Sequence, residues 1–82
     1  MSNDKILITN INKIHTTKLG IVRIKRNLSL NVDDVVSWCK ETITNKDNLI
    51  TKKGKNWYIT TKGCIITINA SSYTIITAHK IK

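Results

Sequence analysis

The spacing of apolar residues changes near the middle of the chain. Up to about residue 45, apolar residues recur three or four positions apart, a spacing that places them on one face of an α-helix. Ser, Thr or Asn stands where each such segment begins, and these side chains cap helix N-termini. The pattern therefore predicts three helices, with the following caps and inward-facing residues: Ser2 and Asn3 before Leu7, Ile11 and Ile14; Thr16 or Thr17 before Leu19, Val22 and Leu28; and Asn31 before Val32, Val35, Val36, Cys39 and Ile43.

The second half has the composition of β-strands. Segments 49–53, 56–61, 64–69 and 73–80 are rich in Ile, Thr, Tyr and Trp, and short turns containing Gly, Lys or Ser separate them. Links this short join only antiparallel neighbours, so the four strands should form a meander. We predict one α+β domain, residues 1–82, in which about three N-terminal helices (within residues 1–45) pack on one face of a four-stranded antiparallel meander sheet (within residues 48–82).

The charge of the chain narrows the range of partners. Lys and Arg total 14 against 5 acidic residues, which gives a formal net charge of +9. A small domain this basic favours a polyanion, either nucleic acid or an anionic membrane surface, although excess lysine can also serve solubility alone. No apolar run approaches the roughly 20 residues that span a bilayer, and the first ten residues do not resemble a secretory signal. We therefore expect a cytoplasmic protein with no membrane partner.

The two cysteines, Cys39 and Cys64, lack the close spacing of a zinc site. They fall on predicted core positions of a helix and a strand, which favours two buried thiols, with a disulfide as the alternative. The sequence contains no paired-carboxylate motif, glycine-rich phosphate loop or nucleophile elbow. We therefore expect neither a metal nor another cofactor.

The last predicted strand, 73–80, has a polar side. Alternation places its odd-numbered residues on one face of the sheet and its even-numbered residues on the other. Ile76 and Ala78 suit the face that helices cover, so Tyr73, Thr77 and His79 should face solvent or a cleft. This set is either an ordinary solvated surface or a site that holds an imidazole among hydroxyl groups.

The turn sequence KKGKNW, residues 52–57, is a second candidate for binding. Lys53 and Lys55 could hold a nucleic-acid backbone while a neighbouring aromatic ring stacks on a base. Trp57 is nevertheless more typical of the core, because aromatic residues in strands usually pack. Trp38 lies at the edge of its helix stripe and is predicted to be partly buried.

A further histidine stands at the break between the first two predicted helices. His15 could cap a helix or lie on the surface, as lone histidines usually do. Metal-independent RNA cleavage, however, needs a base for the 2′-hydroxyl, an acid for the leaving 5′-oxygen and cations for the transition state, and His and Arg suit these roles. The predicted catalytic residues are His15, His79, Arg23 and Thr77, and the predicted substrate-binding residues are Thr16, Thr17, Arg26, Tyr73, Lys53, Lys55 and Lys80.

The sequence resembles a known family in four segments: KIHTTKLGIVRIKRNL, DDVVSWCKETI, GKNWYI and CIITINASSYTIITAHKIK. That family is a small group of domains of unknown function from low-GC bacteria and their phages. More distantly, the order of elements and the polar last strand are similar to the barnase, EndoU, colicin and RelE group of metal-independent ribonucleases. That likeness implies a site on the open face of the sheet, with His15, Thr16, Arg23, Thr77 and His79 as its candidate residues.

Two functions from different classes follow. The first is a toxin-like endoribonuclease that acts on RNA and has an antitoxin or immunity protein as a candidate partner. The alternative is a non-catalytic, basic phage or mobile-element accessory protein that binds nucleic acid or a host nucleoprotein complex. An inert structural domain with a basic surface is the third interpretation.

Overall fold

A computed structural model describes residues 3–44, 48–61 and 63–81. These residues form an α+β structure with three α-helices and a four-stranded antiparallel sheet. The elements, in chain order, are α1 (Asn3–Thr9), a 3-10 turn (Ile11–Lys13), α2 (Lys18–Leu28), α3 (Val35–Ile43), β1 (Leu49–Lys53), β2 (Asn56–Thr61), β3 (Cys64–Asn69) and β4 (Ile75–Lys80). The first three strands coincide with the predicted segments, because strand composition and turn residues are local signals.

The sheet has the strand order β1-β2-β3-β4, and every neighbouring pair is antiparallel. The predicted meander is therefore confirmed. β2 buries alternate residues, as expected where only one side of a strand faces a core. Trp57 and Ile59 lie on the buried side of β2, while Tyr58 and Thr60 lie on the other side and are half-buried.

A β-bulge changes the alternation in β4. Thr67 pairs with Thr77, but the next residue of β3, Ile68, pairs with Ile75, so Ile76 is an extra residue in the ladder. Ile75 consequently turns into the core and is 2% exposed, whereas Ile76 is 44% exposed. The prediction from strict alternation was wrong for this pair, and it holds for Ala78, which is buried.

Helices and strands share one apolar core. Buried residues from the helical half, such as Leu7, Ile24 and Cys39, belong to the same cluster as Trp57 and Ile66 of the sheet. α1 contacts β1, and α2 contacts both β4 and α3. Burial of a large aliphatic or aromatic side chain contributes about 1.5–3 kcal/mol, so this shared cluster is the main force that joins the two halves.

The buried face of α2 differs from the predicted one. Its buried residues are Gly20, Ile24 and Leu28, at spacings of four residues. Leu19 and Val22, predicted to face inward, are 68% and 51% exposed. Apolar spacing alone did not fix the rotation of the helix about its axis, because Gly20 offers no side chain and was not counted as a core position.

The other two helices also begin or end away from the predicted positions. α1 ends at Thr9, so Ile11 lies in the 3-10 turn and Ile14 beyond it, although Ile14 is buried as predicted. Ser2 lies outside the described residues. α3 is capped by Asp34, not Asn31: the Asp34 carboxylate accepts hydrogen bonds from Ser37 N–H at 3.0 Å and from Ser37 Oγ–H at 2.9 Å.

Both cysteines are free and buried, as predicted. Burial raises the pKa of the Cys39 thiol to about 12, and burial also raises the pKa of Cys64. Across residues 3–44, 48–61 and 63–81, no helix has the length and apolar character that crossing a membrane requires.

Candidate functional site

The clearest link between the two halves of the chain joins the segment before α2 to the start of β4. His15 and Thr74 form an isolated parallel β-bridge. The His15 N–H donates to Tyr73 O at 3.1 Å, and the Ile75 N–H donates to His15 O at 2.8 Å. We call residues 15–17 together with residues 73–75 the clasp.

Threonine side chains complete the clasp. The Thr16 hydroxyl donates to the backbone carbonyl of Ile75 at 3.0 Å. Thr17 is the N-cap of α2, and its side-chain oxygen accepts from Gly20 N–H at 3.0 Å. Both threonines were predicted to bind substrate, yet both hydroxyls have partners inside the protein. Thr16 and Thr17 therefore have a structural role, because they form the start of α2 and anchor it to β4.

Gly20 belongs to the same arrangement. A β-carbon at this position would overlap Thr16 Oγ1 and lie 3.3 Å from both Thr16 Cβ and Thr17 Oγ1. The glycine thus permits the first turn of α2 to approach the two threonines closely.

The imidazole of His15 is exposed and held at both nitrogens. Nδ1 lies 2.8 Å from Lys13 O, and Nε2 lies 3.1 Å from Thr74 Oγ1. A carbonyl oxygen can only accept, so Nδ1 carries the proton of the neutral ring and Nε2 accepts from the Thr74 hydroxyl. The Ser72 hydroxyl lies 2.8 Å from Thr74 Oγ1, which extends the chain of hydroxyls away from the ring.

Thr74 and Ser72 were not predicted to be neighbours of His15. Strict alternation assigned Thr74 to the helix-covered face, and nothing local to residue 15 indicates a partner 59 positions further along. The cluster of hydroxyl residues in NASSYT, residues 69–74, was the available signal. Within it, Asn69 Oδ1 accepts from the backbone N–H groups of Ser71 and Ser72 and shapes the turn.

Tyr73 does not face the side of the sheet that was predicted. Its backbone is left-handed, with φ of 60°, so it precedes β4 and leaves the strand alternation. Its ring packs against buried Trp57 with centroids 5.3 Å apart, and the Lys13 ammonium lies 5.6 Å from the ring centroid. Tyr73 is therefore a packing residue whose ring also makes a cation–π contact with Lys13.

Thr77 and His79 lie on the side of β4 opposite buried Ala78, as predicted, with Thr77 half-buried and His79 exposed. Five positions separate His79 from Thr74, the partner of His15. At a rise of roughly 3.3 Å per residue, the backbones of Thr74 and His79 are about 15 Å apart. His79 is therefore near the opposite end of β4 from the residue that contacts the His15 ring.

The predicted basic residues fall in three places. Lys53 ends β1 and Lys55 lies in the β1–β2 turn, both exposed. Lys55 O accepts from Ala70 N–H at 2.7 Å, which ties this turn to the β3–β4 connection that carries Ser72 and Thr74. These lysines are therefore at the same end of the sheet as the clasp.

The remaining cations lie along α2 and at the other end of β4. Arg23 and Arg26 lie on α2, and both are exposed. The Lys80 ammonium lies 3.4 Å from Ser29 Oγ, at the C-terminal end of α2. Lys80 also borders a small pocket of about 190 Å³ whose walls are Leu28, Leu30, Trp38, Gly63 and Cys64. Arg23 and Arg26 thus lie on the helix that follows the clasp, and Lys80 lies at the end of β4 away from the clasp.

Among residues whose placement is described, no three of His, Cys, Asp and Glu come together as a metal site would require. The fold and the site together define a small basic α+β domain with an exposed imidazole, linked through two hydroxyls to the turn before β4.

A domain of this class is matched by one family model, described as a protein of unknown function (DUF3781), over residues 8–79. The chain belongs to the DUF3781 family. The match extends from α1 to His79 and includes both segments of the clasp. No curated protein and no solved structure is significantly similar to the chain.

Proposed function

We propose that the protein cleaves RNA by metal-independent transesterification, with His15 as the base. One observation carries the proposal: an exposed imidazole is fixed by a backbone carbonyl at Nδ1 and leaves Nε2 as an acceptor beside hydroxyl groups. A base oriented by a third group in this way is the arrangement that proton abstraction requires.

RNA suits this site because it brings its own nucleophile. Its 2′-hydroxyl attacks the adjacent phosphorus, so the protein needs to supply only a base, a proton source and positive charge. The net charge of +9 favours a polyanionic substrate. Lys53 and Lys55, at the clasp end of the sheet, are suited to hold phosphates on either side of the reacting one.

The proposed step conserves protons and bonds. Neutral His15 takes the 2′-hydroxyl proton at Nε2, directly or through Thr74, which passes its own proton to His15 and receives the substrate's. The 2′-oxygen bonds to phosphorus, the bond from phosphorus to the 5′-oxygen breaks, and the product is a 2′,3′-cyclic phosphate. The leaving 5′-oxygen takes a proton from the Lys13 ammonium or from water.

The substrate would lie across the sheet. In this proposal, the helices cover the face of the sheet that carries Trp57, Ile59 and Ile66, and the opposite face is open to an RNA strand. The burial of those three residues together with helix residues supports this arrangement. The likeness to the barnase, EndoU, colicin and RelE group, with its open sheet face, belongs to the same proposal. So does a cytoplasmic location, which the two free thiols favour.

The test compares two histidine variants. Purified protein is incubated with a fluorescent RNA and with DNA of the same sequence, and products are separated and weighed by mass spectrometry. We expect RNA fragments that end in 2′,3′-cyclic phosphate and intact DNA. His15→Gln should lose about 10²–10⁴-fold in rate, the usual contribution of a general base. His79→Gln, matched in chemistry but located near the opposite end of β4 from Thr74, should keep the wild-type rate.

Wild-type protein that leaves RNA uncut, or a His15→Gln variant that is folded and fully active, would refute the proposal. Thermal unfolding of each variant separates loss of chemistry from loss of fold. The His15 backbone makes the β-bridge, so the Gln variant should retain its structure.

A second candidate is a non-catalytic nucleic-acid-binding protein, the accessory protein of a phage or another mobile element. The specific observation in its favour is the exposed, lysine-rich β1–β2 turn on a chain of charge +9. It predicts RNA binding without cleavage, with affinity that falls steeply as salt rises. Reversing Lys53 and Lys55 to Glu should weaken that binding, while His15→Gln, which changes no lysine, should not.

A further inference from the structure

We propose that the exposed face of α2 docks an acidic, amphipathic polypeptide segment of a partner protein. This face consists of Leu19, Val22, Arg23 and Arg26, and we call it the α2 outer face. The inference concerns a different surface from the His15 site and does not depend on RNA cleavage.

The residues of the α2 outer face are spaced so that they adjoin one another. Positions i, i+3, i+4 and i+7 follow one side of a helix, here over about 10 Å at the normal rise of roughly 1.5 Å per residue. Leu19 is 68% exposed and Val22 is 51% exposed. The buried side of α2 consists of Gly20, Ile24 and Leu28. The side chains of Leu19 and Val22 therefore do not contribute to the core. Leu19 and Val22 together form a small apolar patch, and exposed apolar patches that are rimmed by polar residues mark interaction sites.

The charge of α2 indicates what kind of partner fits. The helix, KLGIVRIKRNL, contains basic residues at Lys18, Arg23, Lys25 and Arg26 and no acidic residue. Arg23 and Arg26 flank the apolar pair, and arginine is enriched in protein interfaces because it binds carboxylates through two parallel hydrogen bonds. A segment with apolar residues on one face and Asp or Glu beside them complements both features.

Two other occupants fit less well. A second copy of this chain would bring Arg23 and Arg26 against arginines of the same kind, on molecules that each carry +9. A nucleic-acid backbone would engage the arginines but would leave Leu19 and Val22 facing phosphates. An acidic amphipathic segment is the occupant that satisfies the arginines and the apolar pair at once.

The helix that carries this surface is anchored near both of its ends. Thr17 caps the N-terminus of α2, and the Asn27 side chain near its C-terminus donates to Ala78 O of β4 at 3.1 Å. A preformed helix loses little conformational entropy on binding, which favours useful affinity from a small contact.

The probe is a synthetic, fluorescein-labelled helical peptide of about four turns, with leucines at i, i+3, i+4 and i+7 and glutamates beside them. Binding is followed by fluorescence anisotropy, and the contact is mapped by NMR chemical shifts. We expect saturable binding with shifts centred on Leu19 and Val22. Leu19→Ser should weaken binding about tenfold, which corresponds to loss of one buried leucine contact. Arg23→Glu combined with Arg26→Glu should weaken it at least as much.

Two controls on β1 match these changes. Leu49 is 65% exposed, so Leu49→Ser removes an equally exposed leucine, and Lys52→Glu reverses an exposed charge elsewhere. Neither should alter the affinity. A peptide with serines in place of its leucines should bind at least about tenfold more weakly than the probe.

Four results would overturn the inference. Equal weakening by Lys52→Glu and by the combined Arg23→Glu and Arg26→Glu changes would mean that the peptide responds only to overall charge. Full affinity of the serine peptide would mean that Leu19 and Val22 are not used. Shifts on α2 with a short single-stranded RNA but not with the peptide, or concentration-dependent dimerisation abolished by Leu19→Ser, would assign the face to RNA or to a second copy.

Discussion

Replacement of Gly20 by alanine is expected to destabilise this protein, although alanine normally stabilises a helix. The added methyl carbon would overlap Thr16 Oγ1 in the first turn of α2. To relieve the overlap, the Thr16 side chain has to rotate and release its hydrogen bond of 3.0 Å to Ile75 O. The substitution thus acts on the clasp between residue 16 and β4 as well as on the helix.

The size of the effect follows from three contributions. An acceptor left without its partner in a partly buried position costs about 1–3 kcal/mol. Disturbance of the Thr17 cap, whose oxygen would lie 3.3 Å from the new carbon, adds up to about 1 kcal/mol. The higher helix propensity of alanine offsets this loss by about 1 kcal/mol. We expect a net loss of about 1–2 kcal/mol, or roughly 5–15 °C in Tm for a domain of this size.

A double-mutant cycle provides the assay and its control. Urea unfolding is measured for the wild type, Thr16→Ala, Gly20→Ala and the double variant. Thr16→Ala removes the atom that the new methyl would overlap, so in that background Gly20→Ala should be neutral or stabilising by up to about 1 kcal/mol. The effect of the same substitution would then change sign. If Gly20→Ala stabilises the wild-type chain, or destabilises both backgrounds equally, the close approach of α2 to Thr16 is not what requires the glycine.

Two further predictions concern the thiols and the α3 cap. Burial raises the pKa of both thiols, that of Cys39 to about 12. Native protein at mildly alkaline pH should therefore react with a disulfide reagent far more slowly than protein unfolded in guanidinium. Rapid reaction of either cysteine in the native protein would contradict their burial. Hydrogen bonds from Ser37 lower the pKa of Asp34 below its ordinary 3.8, so its stabilising effect is present above that pH and is lost as the pH falls through the lower folded-state value. The difference in urea midpoint between the wild type and Asp34→Ala should therefore shrink when the pH is lowered from near neutrality to below the ordinary carboxyl pKa. Asp33→Ala is the control, because it removes the same charge but no helix cap, and its urea midpoint should not show this change with pH relative to the wild type.

Only some of the candidate site could be predicted from the sequence. His15 and Thr16 stand out because a histidine and two threonines fill a break between helices. Their partners could not be predicted, because Thr74 and Ile75 lie 59 residues away in sequence and meet them only after the fold closes. The pairing of His15 with His79 was suggested by chemistry alone. The His15 ring contacts Thr74, just before β4, whereas His79 lies near the C-terminal end of that strand.

Features that depend only on residues close together in sequence can be predicted from the sequence alone. These features are the three helices, from apolar spacing, and the four strands, whose short turns permit only an antiparallel meander. The net positive charge also follows from the amino-acid composition alone. The bulge at Ile76, the left-handed backbone of Tyr73 and the rotation of α2 that exposes Leu19 arise only when the chain has folded. Each of these depends on contacts between distant segments, whose packing and hydrogen bonds outweigh local preferences of about 1 kcal/mol or less per residue.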